Sequence, residues 1–475
     1  MAFTLLRGWV GVVAAGLLAA CGSAPNGPYK ATPCPAELQQ AGPVIECGEM
    51  TLPEDRAAPS GANIVLPVVI VRAQKADKSL PPVFYLHGGP GGSVVGDVAF
   101  ALEAPEWKDL IGARQDWIFF DQRGSGRARP YLGCPGQPVT DAGPASPAAA
   151  FALQTCLQQH KAKGVDLARY NSVEVVRDLH DLRTALGVET FDLYALSYGT
   201  RVAFDLILHA PEGLRAAVLD SPWPLEASWT EPGPAWVSKA LQRVLILCGE
   251  DTECRAKYPE VGDKFNAMLR SWLDAMPTDS AARDRVGRVA VWMMQSLYDA
   301  EAIRVLPSNL WRIVNGDDVL LLDDALMASS DYAEGAHLAF LCNEELPFEN
   351  PEAGRENASG DPVAEAVSFT MTNYFQTCKG VLEASPNAAE NQPVTSDASV
   401  LMLAAGIDPG CPPELADMAI KGFPRGLLGL ASFSTHGVVS NSACGRRAMS
   451  AFLGDPSGEI DLACFADDPE RPAFD

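Results

Sequence analysis

Basic residues and histidines are scarce in this sequence. Its 475 residues include 36 lysines and arginines against 60 aspartates and glutamates, so the formal net charge is −24, and there are only six histidines. Nucleic-acid binding draws on clustered basic side chains that neutralise phosphates, and no such cluster is present. The composition therefore argues against a nucleic-acid partner, and acidity spread thinly along the chain mainly favours solubility.

Metal and nucleotide motifs are also missing. The twelve cysteines include no Cys-x-x-Cys pair and no Cys/His cluster with zinc spacing. The glycine-rich stretch HGGPGGS at 87–93 is not followed by Gly-Lys-Ser/Thr and has no acidic residue at dinucleotide spacing. We expect neither a metal nor another cofactor.

Long apolar runs are confined to the N-terminus. Residues 1–20 contain Arg7 and then an apolar, small-residue run that is too short to span a bilayer and is typical of a secretory signal. The run ends in LAAC, which resembles the lipobox of bacterial lipoproteins, so Cys21 is expected to carry the lipid; a chance cysteine after an ordinary signal is the alternative. The polar, proline-containing residues 21–46 are predicted to form a tether. Gly22 favours the outer membrane if the cell is Gram-negative.

Eleven cysteines follow Cys21, which suits an exported protein in an oxidising compartment. Sequence alone does not determine their connectivity, and the shortest loops would leave Cys411 unpaired. The shortest-loop pairs are Cys34 with Cys47, Cys134 with Cys156, Cys248 with Cys254, Cys342 with Cys378, and Cys444 with Cys464.

Strand-like and helical segments alternate in the first half of the chain, which predicts a mostly parallel sheet with active-site loops at the carboxyl ends of its strands. After Pro222 the pattern is helical until about residue 398, and strand patterns resume at 399–410 and 425–437. We therefore predict an α/β fold with an inserted α-helical cap and no internal repeat. The predicted divisions are a core at 47–222 and 398–475, a cap at 223–397, and surface loops at 136–150 and 349–362.

Three strand-end residues follow the order Ser197, Asp408 and His436. A serine becomes an effective nucleophile when an imidazole takes its proton and a carboxylate orients that imidazole. Ser…Asp…His is the order of the α/β-hydrolase topology. Asp220 is a rival acid at the end of another strand. The stretch YALSYGT departs from G-x-S-x-G at Ala195, although alanine adds only a methyl group.

The HGG stretch follows a predicted strand and precedes the serine. Glycine lets a backbone come close to a reacting carbonyl, so an N–H of Gly88 or Gly89, together with that of Tyr198, is predicted to stabilise an oxyanion. His436 is the sensible base, because the other histidines lie on helical segments, in the cap or too early in the chain.

Several motifs together resemble one family of serine peptidases with the α/β-hydrolase fold, that of proline iminopeptidase and tripeptidyl aminopeptidase. They are LHGGPGGS, DWIFFDQRGSGRA, LSYGTRVA, GIDPGCPPE and STHGVV. The resemblance runs from about Cys47 to the C-terminus and is thinnest across the cap. It implies a Ser197–His436–Asp408 triad and cleavage after one or a few residues at a free peptide N-terminus. Where the family commonly has DPVTPP, this chain has DPGCPP, which puts Cys411 three residues after the proposed acid.

An aminopeptidase must also bind an ammonium group, and a carboxylate in the cap is a natural partner. Glu344 and Glu345, beside Cys342, are our candidates; a solvated helix end is the alternative. The sequence thus predicts a lipid-anchored serine hydrolase acting on short peptides. An esterase or amidase on small substrates is the main alternative, and a non-catalytic surface protein of the same fold is a weaker one. Residue preference and oligomeric state are not predicted.

Overall fold

The computed structural model describes residues 27–39, 44–136, 141–317, 319–322, 332–382, 391–466 and 471–475. The predicted signal at 1–20 and the candidate lipid site Cys21 lie outside these residues. Among the described residues, no helix combines the length and the apolar character that crossing a bilayer requires.

A nine-stranded sheet forms the centre of the molecule. The first three strands and β5 pair antiparallel, and β5, β4, β6, β7, β8 and β9 run parallel, in the spatial order β1-β2-β3-β5-β4-β6-β7-β8-β9. The strands are β1 Tyr29–Thr32, β2 Ile45–Pro53, β3 Asn63–Val71, β4 Val83–Leu86, β5 Trp117–Phe120, β6 Phe191–Leu196, β7 Leu214–Asp220, β8 Val400–Ala405 and β9 Leu427–Ala431. Parallel strands direct their carboxyl ends to one edge, where β6, β7, β8 and β9 each lead into a loop.

Apolar side chains of the sheet alternate between two cores, because successive strand residues point to opposite faces. On β6, Leu193 belongs to the larger core shared with the cap, whereas Tyr194 belongs to the smaller core on the other face. On β8, Met402 belongs to the larger core and Leu403 to the smaller one. Both faces of the sheet are covered, as the near-continuous apolar character of these strands predicts.

Helices flank the sheet and form the cap. Between β7 and β8 the described residues contain helices and no strand, so the block between residues 223 and 397 is α-helical there. The helices are α1 Val94–Glu103, α2 Pro147–Ala162, α3 Ser172–Ala185, α4 Tyr198–His209, α5 Gly233–Glu250, α6 Thr252–Lys257, α7 Val261–Ala275, α8 Ser280–Tyr298, α9 Ala300–Val314, α10 Val319–Leu322, α11 Glu334–Phe340, α12 Pro351–Ala358, α13 Pro362–Met371, α14 Asn373–Cys378, α15 Pro413–Ala419, α16 Val438–Asn441 and α17 Ala443–Gly454.

Three segments differ from their sequence predictions, and one of them is the predicted loop at 136–150, because α2 already begins at Pro147. The predicted tether at 21–46 contributes an edge strand: β1 pairs antiparallel with β2, from Tyr29 opposite Met50 to Thr32 opposite Cys47. Leu38 is also buried, so this part of the segment belongs to the folded body. The predicted loop at 349–362 contains α12, whose first turn is capped by the Asn350 side chain.

Five disulfides connect the same pairs that the shortest loops favour, and they identify the chain as an exported protein. Cys411 is free and buried. Cys134, Cys156 and His160 lie close enough together to suggest a metal site, but the two sulfurs are already bonded to each other.

Candidate active site

Ser197 occupies a sharp turn between β6 and α4. Its backbone has φ 56° and ψ −124°, a strained conformation for a residue with a side chain. The turn is tight because a Cβ on Gly199 would lie 2.1 Å from the Leu86 carbonyl oxygen. Ala195, by contrast, is fully buried within β6 and pairs with Leu86 and Leu219. The glycine that the turn requires is therefore Gly199, and alanine at 195 is accommodated by the sheet.

Asp408 and His436 meet at the ends of β8 and β9. The imidazole Nδ1 lies 2.8 Å from Asp408 Oδ2, and Asp408 Oδ1 accepts backbone hydrogen bonds from Gly410 at 3.0 Å and Cys411 at 2.8 Å. Burial alone would raise the pKa of Asp408, but the charge and hydrogen bond of His436 lower it below its usual value. The carboxylate therefore stays ionised and fixes which imidazole nitrogen carries a proton.

Backbone contacts place the loop after His436 beside the serine turn. Ser197 donates its N–H to the Asp220 carbonyl at 2.9 Å, and Gly437 donates its N–H to Ser221 Oγ at 2.9 Å. A Cβ on Gly437 would lie 3.6 Å from Leu196 Cδ1. The ends of β6 and β7 and the His436 loop thus form one cluster.

Asp220, the rival acid, has a different set of partners. Its carboxylate accepts hydrogen bonds from the N–H groups of Val438 and Val439 at 2.7 and 2.9 Å and from the Tyr194 hydroxyl at 2.9 Å. Burial raises the pKa of Asp220 to about 6. Asp220 therefore anchors the start of α16 just after His436, whereas Asp408 contacts the imidazole itself.

The HGG stretch passes directly over the serine. A Cβ on Gly88 would lie 2.8 Å from Ser197 Cβ, and Gly89 has φ 119°, a conformation that glycine readily adopts. Tyr198 begins α4, where the first N–H groups have no partner within the helix. Gly88 therefore packs against Ser197, and Gly89 and Tyr198 are the next residues along the chain from these two; that their N–H groups hold an oxyanion stays a prediction.

The Asp121 carboxylate of the DQRG motif orders the residues that follow the HGG stretch. It accepts N–H bonds from Val94 and Val95 at 2.8 and 2.9 Å and from Arg127 at 2.7 Å. Gln122 donates to the His87 carbonyl at 3.2 Å. Hydrogen bonds thus join the two loops, and the HGG stretch lies against Ser197.

Cys411 is buried three residues after Asp408, and the Ser197 side chain is one of the groups that influence the pKa of its thiol. Burial, together with Asp408 and Asp141, raises the pKa of the Cys411 thiol well above its usual value. The thiol is therefore neutral, and the Asp408 turn forms with cysteine at this position.

Glu344 and Glu345, proposed to bind an ammonium group, lie instead in a buried network on a π-helical turn at Leu341–Glu345. Glu344 accepts hydrogen bonds from the N–H and hydroxyl of Ser172 at 2.6 and 2.8 Å. Glu345 pairs with Arg201 of α4 at 2.6 Å, and the Arg201 Nε lies 4.0 Å from Glu344. Their charges are compensated inside the protein, so this arrangement gives the ammonium hypothesis no support.

Sequence reasoning did not anticipate Asp141 and Tyr298. The Tyr298 ring packs edge-on against the His436 ring with centroids 4.8 Å apart, and its hydroxyl donates to Asp141 Oδ2 at 2.6 Å. Asp141 belongs to the small, proline-rich stretch predicted to be a surface loop. Nothing in the local pattern distinguishes it, since its partner is 157 positions away in the sequence.

Two family models match the chain. The model of the alpha/beta hydrolase fold matches residues 81–334, more than half of the chain, and a second model, described as TAP-like protein, matches residues 363–464. The second match covers Asp408 and His436.

Two curated relatives are peptidases by name. The serine protease Hip1 of Mycobacterium tuberculosis is 26% identical over 208 residues, which cover 41% of this chain and 39% of Hip1. The tripeptidyl aminopeptidase of Streptomyces coelicolor is 29% identical over 189 residues, 37% of this chain and 35% of that protein. The chain thus matches well under half of the length of these relatives.

Among solved structures, the proline iminopeptidase of Mycobacterium smegmatis aligns over 86% of this chain and 98% of its own, with 14% identity and a TM-score of 0.40.

Proposed function

Since the chain belongs to the α/β-hydrolase family and is a serine hydrolase, we propose that Ser197, His436 and Asp408 are its catalytic residues and that it releases one or a few residues from the free N-terminus of short peptides. The observation that carries the proposal is the 2.8 Å contact between His436 and Asp408 beside a serine held at φ 56°. The peptidase names of two relatives support the substrate class.

In this proposal His436 removes the Ser197 proton as the hydroxyl attacks a peptide carbonyl. Asp408 holds Nδ1, which leaves Nε2 to accept that proton, and it stabilises the resulting imidazolium. The same imidazole then protonates the leaving amine. In deacylation it activates the water that releases the acyl group from Ser197.

The oxyanion formed during attack would be held by backbone N–H groups. Tyr198 at the start of α4 and Gly89 in the HGG stretch are the proposed donors, with Gly88 packed against Ser197 as a further candidate. Donors aligned in advance stabilise charge that develops only in the transition state, and losing one typically costs about 10²–10³ in kcat.

A substrate comparison tests the peptidase assignment. Aminoacyl and tripeptidyl chromogenic substrates with free amines should be turned over faster than their N-blocked versions and than p-nitrophenyl esters. Ser197→Ala should remove turnover and labelling by a fluorophosphonate probe. Equal turnover rates on substrates with free and with blocked amines would contradict the aminopeptidase assignment and favour the esterase or amidase alternative.

We also propose that Cys21 is lipidated and attaches the exported protein to a membrane, on the strength of the LAAC sequence that precedes Gly22. Labelled palmitate should be incorporated into the wild-type chain and the protein should enter the detergent phase. Cys21→Ser should abolish both while leaving fluorophosphonate labelling of Ser197 intact. Incorporation that persists in Cys21→Ser would contradict the proposal.

A further inference from the structure

The Asp141 carboxylate is desolvated by the protein around it, although the residue as a whole keeps part of its surface exposed. Burial raises its pKa, and its charge influences the pKa of Tyr332 and Tyr374 as well as those of His436 and Tyr298. The residue as a whole is nevertheless only partly buried. Asp141 is therefore a partly exposed residue whose carboxylate lies one tyrosine side chain away from the His436 ring.

Within the described residues Asp141 has no lysine or arginine partner, and the positive charge that lowers its pKa is that of His436. The one hydrogen-bond donor to Asp141 there is the neutral Tyr298 hydroxyl, at 2.6 Å, and neither lysine nor arginine forms an ion pair with the carboxylate. The internal segments outside the described residues, at 40–43, 137–140, 318, 323–331, 383–390 and 467–470, contain no lysine or arginine either. Glu344 and Glu345 differ in this respect, because both lie beside Arg201.

The His436 charge lowers the pKa of Asp141, and the Asp408 charge raises it. A desolvated carboxylate is costly unless it is paired, so a carboxylate placed here without a lysine or arginine partner favours a cationic ligand. A free peptide N-terminus carries such a charge, whereas an N-acylated peptide or a simple ester does not.

We propose that Asp141, oriented by Tyr298, binds the ammonium group of the peptide substrate and so determines specificity for free N-termini. The inference rests on the proposed peptidase function, because it places the N-terminus of a substrate whose carbonyl lies at Ser197. Asp141 is thereby a specificity-determining residue, and Tyr298 positions it through the 2.6 Å hydrogen bond.

The distances suit a short peptide. The Tyr298 side chain lies between Asp141 and the His436 ring. Its hydroxyl is 2.6 Å from Asp141 Oδ2, and its ring centroid is 4.8 Å from that of His436. The carboxylate is therefore about 10 Å or less from the imidazole, and each extended residue spans about 3.3–3.6 Å. A carboxylate at this range can bind the N-terminus when one to three residues precede the scissile bond.

Equilibrium binding to inactive protein tests the inference without requiring turnover. Calorimetric titrations of Ser197→Ala with trialanine amide and with N-acetyl-trialanine amide should show at least tenfold tighter binding of the free amine. Adding Asp141→Asn should bring the two affinities within about twofold of each other. The asparagine can still accept the Tyr298 hydrogen bond, so the change removes charge with little change in shape.

Glu334→Gln in the same Ser197→Ala background is the matched control. Glu334 is a partly buried carboxylate that influences the pKa of Tyr332, but it is bound by the Cys134 N–H. We expect this variant to keep the preference for the free amine. Asp141→Ser, a smaller uncharged replacement, is a second variant for the case that Asp141→Asn folds poorly. It should also lose the preference for the free amine.

The outcomes separate the two proposals. Equal binding of both amides by Ser197→Ala, or a preference that survives in Asp141→Asn and Asp141→Ser, would overturn the role of Asp141. A preference that depends on Asp141, combined with no peptide turnover by the wild type, would support the ammonium site and overturn the peptidase proposal alone. Peptide turnover by the wild type, combined with a preference for the free amine that does not depend on Asp141, would support the peptidase proposal and overturn the role of Asp141.

Discussion

His436 is the residue whose protonation controls the proposed reaction. Burial alone would lower its pKa, but the charge of Asp408 and the hydrogen bond between them outweigh burial, and Asp141 and Asp220 act in the same direction. The net result is a pKa raised above the ordinary value of 6.5. The base must be neutral to accept a proton, so activity should fall as the pH drops through this raised pKa.

A pH profile checks this expectation. We predict that kcat/KM rises with pH along a limb whose midpoint lies above 6.5, because the neutral imidazole forms only there. Asp408→Asn should move the limb to lower pH and reduce kcat by about 10³–10⁴, since the imidazole loses both its charge partner and its fixed tautomer. A wild-type midpoint below 6.5 would contradict the assignment of His436 as base.

At the scale of elements, the strand-to-helix turn depends on close backbone contact between β4 and α4. The hypothetical Cβ on Gly199 lies 2.1 Å from the Leu86 carbonyl oxygen and 2.9 Å from that of His87. Both obstacles are backbone atoms, which cannot rotate away as a side chain can. The serine turn and the HGG stretch therefore hold each other in position.

We predict that Gly199→Ala destabilises the protein by about 1–3 kcal/mol or more and sharply lowers activity, because the added methyl group separates α4 from β4. Ala195→Gly should cost only about 1 kcal/mol and keep most activity, since it adds no atoms. Chemical denaturation and fluorophosphonate labelling measure both effects. A fully active Gly199→Ala would show that the turn relaxes more easily than this packing implies.

A buried ion pair also connects the cap to α4, the helix that follows Ser197. Arg201 of α4 pairs with Glu345 and lies near Glu344, and all three side chains are buried. An uncompensated buried carboxylate is far more costly than an exposed one. The two glutamates thus connect the cap to the core through Arg201.

Replacing the central cation tests this connection. Arg201→Met should destabilise the protein by about 3–5 kcal/mol, because it leaves Glu344 and Glu345 buried without a cation. Lys239→Met removes the exposed partner of Glu414 and should cost at most about 1 kcal/mol. Urea denaturation of both variants measures the difference. Similar losses in the two would mean that the buried pair adds little to stability.

At the scale of the whole molecule, disulfides close loops in both the core and the cap. The sequence separations range from 6 for Cys248–Cys254 to 36 for Cys342–Cys378. In the chain-entropy model a longer closed loop restricts the unfolded chain more, so the second bond should stabilise more than the first.

We predict that Cys342→Ala/Cys378→Ala lowers the free energy of unfolding by about 3–4 kcal/mol and Cys248→Ala/Cys254→Ala by about 2–3 kcal/mol. Cys411→Ser removes no disulfide and is the control. The stability of this variant should still fall when reductant is added. Thermal unfolding of these three variants, with and without reductant, measures the effects. An equal loss in both double variants would contradict the loop-length argument.

Much of the fold was already determined by local patterns in the sequence. The alternation of strand-like and helical segments predicted a mostly parallel sheet, and the helical pattern after Pro222 predicted the helices of the cap. These features depend on neighbours within a few residues, so their physical cause can be seen in the sequence. The order Ser197, Asp408, His436 was also read from the sequence. The five disulfides agree with the shortest-loop choice, although the sequence alone did not determine their connectivity.

The partners of individual acidic side chains were decided by the tertiary structure. Asp408 rather than Asp220 contacts His436, Glu344 and Glu345 lie beside Arg201, and Asp141 meets Tyr298. Each contact joins residues at least 28 positions apart in the sequence, and it exists only in the packed fold. A carboxylate acquires its role from the charges, donors and solvent around it, and these are set by packing rather than by the residues beside it in the chain.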